Sequence, residues 1–170
     1  GRTSSHRHAL MRNLTRALIL TLDQDVAGAA KASGRIRTTL EKAKEVRPYV
    51  EKMVTTAVKA KRSLDEANKI ACSHARGSDE YKAWRATDAG QVWLKAQANY
   101  IHRRRQLFDS LRSKQAVSLL IEKIGPRFED RAGGYTRVVR IAKRRLADAA
   151  RLAYLEFVEE PTRLAVESKS

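Results

Sequence analysis

This chain of 170 residues lacks the features on which secreted and membrane proteins commonly depend. Its single cysteine, Cys72, excludes an internal disulfide and is typical of a protein in a reducing compartment. No apolar run approaches the ~18 residues that a helix needs to cross a bilayer, and the longest, residues 17–22, is interrupted by Thr21. The sequence therefore predicts a protein without an internal disulfide and without membrane insertion.

Residue groupings typical of catalysis, metal binding or cofactor binding are also missing. The eight glycines never fall in the spacing of a phosphate-binding or dinucleotide-binding loop. Cys72 and His74, like His6 and His8, lack the paired spacing of a zinc site. Ser5 and His6 are neighbours on a predicted helix and cannot act on each other as nucleophile and base. We expect no enzymatic activity, no metal, no cofactor and no small-molecule substrate.

Positive charge is what the chain has in excess. It contains 35 Lys and Arg residues against 19 Asp and Glu residues, which gives a net charge of +16 at pH 7. A chain with this balance is expected to bind polyanions, and its 42% hydrophobic residues suffice for a folded core. Only 6% of the residues are aromatic, so recognition of RNA by shape and backbone is favoured over stacking on bases.

The first third of the chain predicts a helix, a connection, a strand and a second helix. Leucines at four-residue spacing favour a helix over residues 5–21, and residues 23–34 are interpreted as a helical extension or a loop. Residues 35–38 form a strand candidate. Thr38 and Glu41 have the spacing of a capping box, which predicts the start of the second helix.

The middle of the chain keeps a helical pattern over residues 59–111. Gly77 and Ser78 interrupt it, as do residues 88–90, so the pattern predicts two or three helices that form a hairpin arm. Trp84 and Trp93 lie at helical spacing within this arm. Packing between the helices is favoured for both side chains, and stacking on unpaired bases is the alternative.

The last third of the chain predicts one more helix and two strands. Ser113 is a candidate cap for a helix that ends at residue 124, where Gly125 and Pro126 supply a stop signal. Residues 135–142 and 152–158 are rich in Val, Ile, Tyr and Phe, as is typical of strands. Residues 159–170 are interpreted as a solvated tail.

A first candidate RNA site lies at the start of the first helix, which has no acidic residue before Ala17. A helix N-terminus offers free N–H groups to phosphate, and the arginines and histidines around it add positive charge. A solvated helix face with an ordinary cap is the alternative. The candidate residues are Arg2, Ser4, Ser5, His6, Arg7, Arg12, Asn13 and Arg16.

A second candidate RNA site lies between the last helix and the first of the two strands. Gly133 and Gly134 can adopt positive φ and bring backbone N–H groups close to an anion, and the arginines around them form charged forks. A plain turn after a helix is the alternative. The candidate residues are Arg127, Arg131, Gly133, Gly134, Tyr135, Thr136 and Arg137. Arg35 and Lys42, in and after the strand candidate at 35–38, are further candidates.

Three consecutive arginines on the predicted arm form a weaker candidate for contact with RNA or a partner. They are Arg103, Arg104 and Arg105. Because they span nearly a full helical turn, all three cannot face one partner, and a solvated or intrahelical role is the alternative.

Four segments carry a resemblance to a known family. They are SSHRHALMRNL at 4–14, RIRTTLEKAKEVRPYVEKM at 35–53, IGPRFEDRAGGYTRVVRI at 124–141 and DAARLAYLEFV at 148–158. In this order they resemble the family of bacterial large-subunit ribosomal protein number seventeen. The resemblance implies an α+β fold of two layers, with helices packed on a small mixed β-sheet. It also implies binding to large-subunit rRNA, near the exit of the nascent-chain tunnel.

Two of the departures of this chain from the family bear on its fold. The chain is much longer than the family between residues 56 and 103, where the predicted helical hairpin arm is an addition. The family usually has glycine where this chain has Ala147, so the tight bend between the last two strands is in question here.

The sequence and the resemblance together predict one rRNA-binding domain over residues 1–170, with residues 59–112 as an extended helical insertion. The predicted function is that of a non-catalytic structural constituent of the large ribosomal subunit. Its expected partners are large-subunit rRNA and neighbouring large-subunit ribosomal proteins. A cytoplasmic ribosome is the expected location, and an organellar ribosome stays open. A free architectural protein that binds DNA or RNA is the alternative function.

Overall fold

The computed structural model describes residues 3–23 and 34–158. Its elements, in order, are helix α1 (Ser4–Leu20), strand β1 (Arg35–Thr39), helices α2 (Leu40–Ile70), α3 (Asp79–Ala86), α4 (Asp88–Leu111) and α5 (Lys114–Leu119), and strands β2 (Thr136–Arg144) and β3 (Arg151–Phe157). None of the helices in these two ranges combines the length and the apolar character that crossing a membrane requires. The candidate Arg2, most of the predicted extension or loop at 23–34 and the predicted tail lie outside the described residues.

The three strands form one antiparallel sheet in the order β1-β3-β2. Arg35 pairs with Glu156 across one side of β3, and Arg137 pairs with the same Glu156 across the other side. The prediction of an α+β fold is confirmed. The prediction of a mixed sheet is wrong, because the central β3 runs opposite to both of its neighbours and a short hairpin joins it to β2.

The core is centred on α2, whose buried residues pack with those of the sheet and of helices α1, α4 and α5. Alternate residues of β3, Ala153, Leu155 and Phe157, are buried on the inner face of the sheet. They join an apolar stripe on α2 that recurs every three or four residues, as the helical period requires. That stripe consists of Ala43, Val46, Val50, Met53, Val54 and Ala57. Burial of each large side chain contributes about 1.5–3 kcal/mol to folding.

Helices α2 and α4 form a helical hairpin that α3 closes at its far end. Tyr49, near the start of α2, donates a hydrogen bond of 2.8 Å to the carbonyl of Ser110, near the end of α4. The rings of Trp84 and Trp93 meet edge to face with centroids 5.5 Å apart, which confirms that they pack together. The break between α3 and α4 falls at Thr87, just before the predicted residues 88–90, because the Thr87 hydroxyl caps α4.

Two predicted signals act differently in the structure. Thr38 does not cap α2, because β1 continues to Thr39, which is the capping residue and forms no side-chain cap hydrogen bond. Gly125 and Pro126 do not end the helix. The chain continues from α5 through a π-helical turn, Leu120–Ile124, and a short α-helical turn, Gly125–Arg127. Glycine at 125 allows a close approach to α2, since a Cβ atom there would lie 3.1 Å from the Cβ of Lys61. The prediction that Ser113 caps α5 is confirmed.

A carboxylate on α2 fixes the start of β2. Glu51 accepts hydrogen bonds from the backbone N–H of Tyr135 at 3.0 Å and from that of Thr136 at 2.9 Å. It also accepts one from the Thr136 hydroxyl at 2.7 Å. Both donors belong to buried residues, so these N–H groups would otherwise have been buried without a partner.

Replacement of this carboxylate is predicted to destabilise the fold. We expect Glu51→Ala to lower the free energy of unfolding by about 2–4 kcal/mol, because it leaves two buried N–H groups without an acceptor. Urea denaturation followed by circular dichroism measures the effect. Glu45→Ala, at an exposed position of the same helix, is the matched control and should change the free energy by less than about 0.5 kcal/mol. Equal losses in the two variants would contradict this role of Glu51.

Candidate nucleic-acid interface

Two arginines share one buried carboxylate on the outer face of the sheet. The Nε atoms of Arg35 on β1 and Arg137 on β2 each lie 2.5 Å from an oxygen of Glu156 on β3. Glu156 is only 4% exposed, whereas its two partners are about half exposed. Arg35 also lies 4.8 Å from the centre of the Tyr154 ring. The row formed by Arg35, Glu156 and Arg137 carries one net positive charge. Hydrogen bonds to the carboxylate hold its two guanidinium groups in place.

The opposing effects of burial and hydrogen bonding set the charge state of Glu156. Burial raises the pKa of Glu156, but hydrogen bonds from Arg137 and Arg35 outweigh it, so the pKa lies below its ordinary value. The carboxylate is therefore ionised at neutral pH and orders both arginines.

At the end of β1, β2 and β3 continue as a two-stranded extension. We call this extension, together with the two residues of β2 that lie level with the end of β1, the cationic ribbon (residues 140–151). Arg144 and Arg151 are paired directly across it, next to a register shift that follows Ile141. Like charges in this position repel each other. The ribbon has one acidic residue and five basic residues, namely Arg140, Lys143, Arg144, Arg145 and Arg151. Of these five, only Arg145 forms an ion pair within residues 3–23 and 34–158.

The bend at the end of the ribbon forms without glycine. Asp148 accepts hydrogen bonds from Nε of Arg145 at 2.7 Å and from the backbone N–H of Ala150 at 3.3 Å. The side-chain hydrogen bond from Arg145 lowers the pKa of Asp148 to about 2. The residue with positive φ is Ala149, at 51°, rather than Ala147. The departure from the family at Ala147 therefore leaves the bend intact.

The predicted loop site is largely occupied by contacts within the protein. Arg127 donates to the Val158 carbonyl at 2.6 Å, and the exposed Arg131 donates to the Gly133 carbonyl at 3.0 Å. Gly134 has a φ of +66°, as predicted, but Gly133 does not have positive φ.

Tyr135 and Thr136 also differ from expectation. Both residues are buried, and the Glu51 carboxylate occupies the place beside their N–H groups where a phosphate was predicted. These two N–H groups are therefore not open to RNA in this structure. The exposed cations that remain in this part of the site are Arg131 and Arg137.

The first-helix candidates divide into exposed residues and residues that serve the fold. Ser4, Ser5, His6 and Arg7 are exposed in the first turn of α1. The remaining candidates form internal contacts: Arg12 donates to the Ser110 carbonyl at 3.1 Å, and Arg16 donates to the Asn13 side chain at 3.3 Å.

The exposed first turn of α1 lies far from the sheet end of the molecule. The hydroxyl of Thr21, just after α1, accepts a hydrogen bond of 3.0 Å from the N–H of Gly34, which precedes β1. A helix of 17 residues is roughly 25 Å long at 1.5 Å per residue. The two predicted cationic sites therefore lie toward opposite ends of α1 instead of forming one cluster.

The three arginines of the arm also separate, as their spacing predicted. Arg104 and Arg105 line a groove between α4 and α5. Arg103 is half-buried, and its Nε atom has no hydrogen-bond partner among the described residues. Lys42, on α2, is half-buried. No cluster of three or more His, Cys, Asp or Glu residues that could hold a metal occurs in the described part of the chain.

Comparisons with known proteins decide the family. The family model described as Ribosomal protein L17 matches residues 10–158. The chain belongs to the Ribosomal protein L17 family. A protein named Large ribosomal subunit protein bL17 from Rhodopirellula baltica is 48% identical over 167 residues, which cover 96% of this chain and 79% of that protein. Proteins of the same name from Campylobacter jejuni and Campylobacter lari are 38% and 36% identical over 158 residues, which cover 93% of this chain and 91% of each relative.

Membership of the Ribosomal protein L17 family makes this chain a non-catalytic protein of the large ribosomal subunit. The predicted resemblance is thereby confirmed. The contacts of such a protein with a polyanion depend on how its charge is distributed.

That charge is distributed unevenly over this L17-family chain. Residues 63–101, which form most of the helical hairpin arm, contain five basic and five acidic residues and are electroneutral. The remaining 131 residues contain 30 basic and 14 acidic residues, so the whole excess of +16 lies outside that segment. A surface that meets a polyanion needs such an excess, and the arm beyond the groove does not have it.

The cationic ribbon was absent from the sites predicted from the sequence of this L17-family member. Its signal was present in the run Lys143, Arg144, Arg145 between two strand candidates. The pairing of Arg144 with Arg151 could not be read from it, because the register depends on the bend and on the bulge.

The pH dependence of stability is predicted to report on Glu156. Because its folded pKa is lowered from 4.5, its contribution is fully present above pH 4.5 and is lost as the pH falls through the folded pKa. We expect Glu156→Gln to lower stability at pH 7 by about 1–2 kcal/mol and to flatten the acid limb of the stability profile. Urea midpoints between pH 2.5 and pH 7 measure this. Glu41→Gln, at an exposed position, is the control. An acid limb that is the same with Glu156→Gln as with the unmodified chain would contradict the assignment.

Proposed function

We propose that this chain binds folded large-subunit rRNA through its phosphate backbone, near the exit of the nascent-chain tunnel, and stabilises the RNA without chemistry. The observation that carries the proposal is the cationic ribbon, in which Arg144 faces Arg151 with no acidic partner among the described residues. A folded protein gains nothing from two opposed guanidinium groups unless an external anion lies between or beside them. Phosphates of a folded RNA supply such anions.

Recognition of RNA shape and backbone suits this ribbon better than base reading. All residues from 142 to 149 are exposed, and none of them is aromatic. The nearest ring on the outer face of the sheet belongs to Tyr154, and Arg35 covers it. Contacts with phosphates and ribose are therefore the ones that the ribbon can form.

A second point of contact is proposed at the start of α1. Ser4, Ser5, His6 and Arg7 are exposed there, roughly 25 Å from the sheet end by the length of the helix. Two separate contacts fix the orientation of a protein on RNA, which one cluster cannot do. Arg131 and Arg137 extend the ribbon contact toward the loop. The proposed location is the ribosome of the cytoplasm, with the organellar ribosome as the alternative.

The helical hairpin arm is proposed to contact a neighbouring ribosomal protein. Its residues 63–101 carry no net charge, so a phosphate surface would not attract them. Trp84 and Trp93 are half-buried at its far end, and Val92 beside them is 54% exposed. Aromatic side chains surrounded by balanced charges are typical of protein interfaces.

Neutralisation of the ribbon is predicted to weaken binding to the large subunit. Arg144→Gln with Arg151→Gln removes two phosphate partners, so the slope of log affinity against log salt should become shallower by about two units. The free protein should unfold at the same or a higher urea concentration, because the two like charges are gone. The measurement is the salt concentration at which the chain leaves purified large subunits.

Arg76→Gln with Lys95→Gln, exposed positions of the electroneutral segment, forms the matched control and should leave the salt dependence unchanged. Equal slopes for the ribbon variant and the unmodified chain would remove the ribbon from the interface. Pelleting of the chain with DNA instead of with large subunits would favour the free architectural protein.

The partner of the arm can be identified by a photo-crosslinker. We expect p-benzoylphenylalanine in place of Val92 to form adducts with a protein when large subunits that contain the chain are irradiated, because that end of the arm is neutral and apolar. Mass spectrometry of the adduct identifies the class of partner. Adducts confined to rRNA would show that the arm lies on an RNA expansion instead.

A further inference from the structure

A groove lies between α4 and α5, outside both the core and the cationic ribbon. It has a volume of about 390 Å³ and opens to the surface beside the C-terminal part of α4. Its lining residues are Ile101, Arg104, Arg105, Phe108, Lys114 and Val117. The residues of α4 recur at intervals of three and four, so they share one face of that helix.

The wall of this groove on α4 includes an aromatic ring that the fold leaves open. Phe108 is 40% exposed and Ile101 is 39% exposed, whereas Leu107 and Leu111 of the same helix are fully buried in the core. The core thus takes one face of α4, and Phe108 and Ile101 stand on another. An exposed phenyl ring beside two aliphatic side chains offers a flat apolar surface of the kind on which a base stacks.

The rim of the groove is entirely cationic. Arg104, Arg105 and Lys114 line it, no acidic residue does, and none of the three forms an ion pair within the described residues. A second cavity, of about 350 Å³ between α2 and the loop before β2, is lined by Glu129 and Asp130 as well as by cations. The α4–α5 groove is therefore the one of these two whose charge is complementary to an anion throughout.

We propose that the α4–α5 groove binds one unpaired nucleotide of the large-subunit rRNA. Its base stacks on the ring of Phe108 between Ile101 and Val117, and its phosphate lies against Arg104, Arg105 or Lys114. Stacking platforms flanked by arginine and lysine are the means by which proteins hold unstacked bases. This inference rests on the proposed function, since it names a site at which the same rRNA would be held by a base.

An acidic peptide is the other chemistry that a cationic, partly apolar groove attracts. The nucleotide is favoured because the apolar surface is one aromatic ring flanked by Ile101 and Val117, and because the groove lies where the electroneutral segment gives way to positive charge. The electroneutral segment 63–101 ends at Ile101, and three consecutive arginines follow after His102.

Two substitutions of Phe108 separate stacking from apolar contact. Phe108→Trp keeps a flat aromatic surface, whereas Phe108→Leu keeps an apolar side chain but removes the ring. We expect Phe108→Leu to weaken binding to protein-depleted large subunits about tenfold and Phe108→Trp to preserve it, since base stacking on one ring contributes ~5-fold to ~150-fold. Both substitutions are at one partly exposed position, and thermal unfolding checks that each variant folds.

Chemical probing of the rRNA tests the stacking contact itself, because a purely structural role of Phe108 would not change the reactivity of one nucleotide. An unpaired nucleotide should be protected in subunits with the unmodified chain or with Phe108→Trp, and reactive with Phe108→Leu. Identical protection patterns with all three proteins would overturn the proposal.

Photo-crosslinking separates failure of this site from failure of the proposed function. p-Benzoylphenylalanine at Phe108 should give adducts with rRNA, as should the same group at Leu146 in the ribbon, a position that is 98% exposed. Adducts with rRNA from position 146 together with protein adducts from position 108 would overturn the nucleotide site alone. If neither position labels rRNA, the proposed function fails as well.

Discussion

Positive charge that the fold does not neutralise is the constraint on which the rest of this structure depends. The Glu156 carboxylate accepts hydrogen bonds from two arginines, Arg35 and Arg137, whereas the Asp148 carboxylate pairs with one arginine, Arg145. Arg144 and Arg151 then oppose each other across β2 and β3. Two unit charges about 5 Å apart repel each other by roughly 1 kcal/mol in water, which a stable domain tolerates and which a bound phosphate reverses. The cationic ribbon is thus a modest cost of folding, which the proposed binding to RNA would offset.

Internal carboxylates hold this cationic surface in place. Glu51 fixes the first residues of β2 from α2, and Glu156 fixes the guanidinium groups of β1 and β2 from the central strand. Both acids take up groups that the sequence alone assigned to RNA. They order the strand from which the ribbon extends, so the exposed arginines beyond it are presented on a regular scaffold. In this fold the acids position the cations, and the cations carry the proposed contact.

Local patterns in the sequence predicted the elements better than they predicted the site. The spacing of leucines gave α1, and runs rich in Val, Ile, Tyr and Phe gave β2 and β3 to within about two residues. The role of Glu51 could not be predicted, because it lies 84 residues before Tyr135 and the contact exists only after α2 packs on the sheet. The groove beside Phe108 likewise needs α5 to lie against α4. Antiparallel strand order and the positive φ of Ala149 are consequences of the complete hairpin, which no single residue signals.

A reconstruction of the large ribosomal subunit that contains this chain tests the central claim most directly. The quantity to measure is the distance from the guanidinium and ammonium groups of residues 140–151 to the nearest phosphate oxygens of the rRNA. The account predicts hydrogen-bonding distances of about 2.7–3.2 Å for Arg144 and Arg151. A ribbon that lies in open solvent, or that is neutralised by the acidic residues of a neighbouring protein, would contradict it.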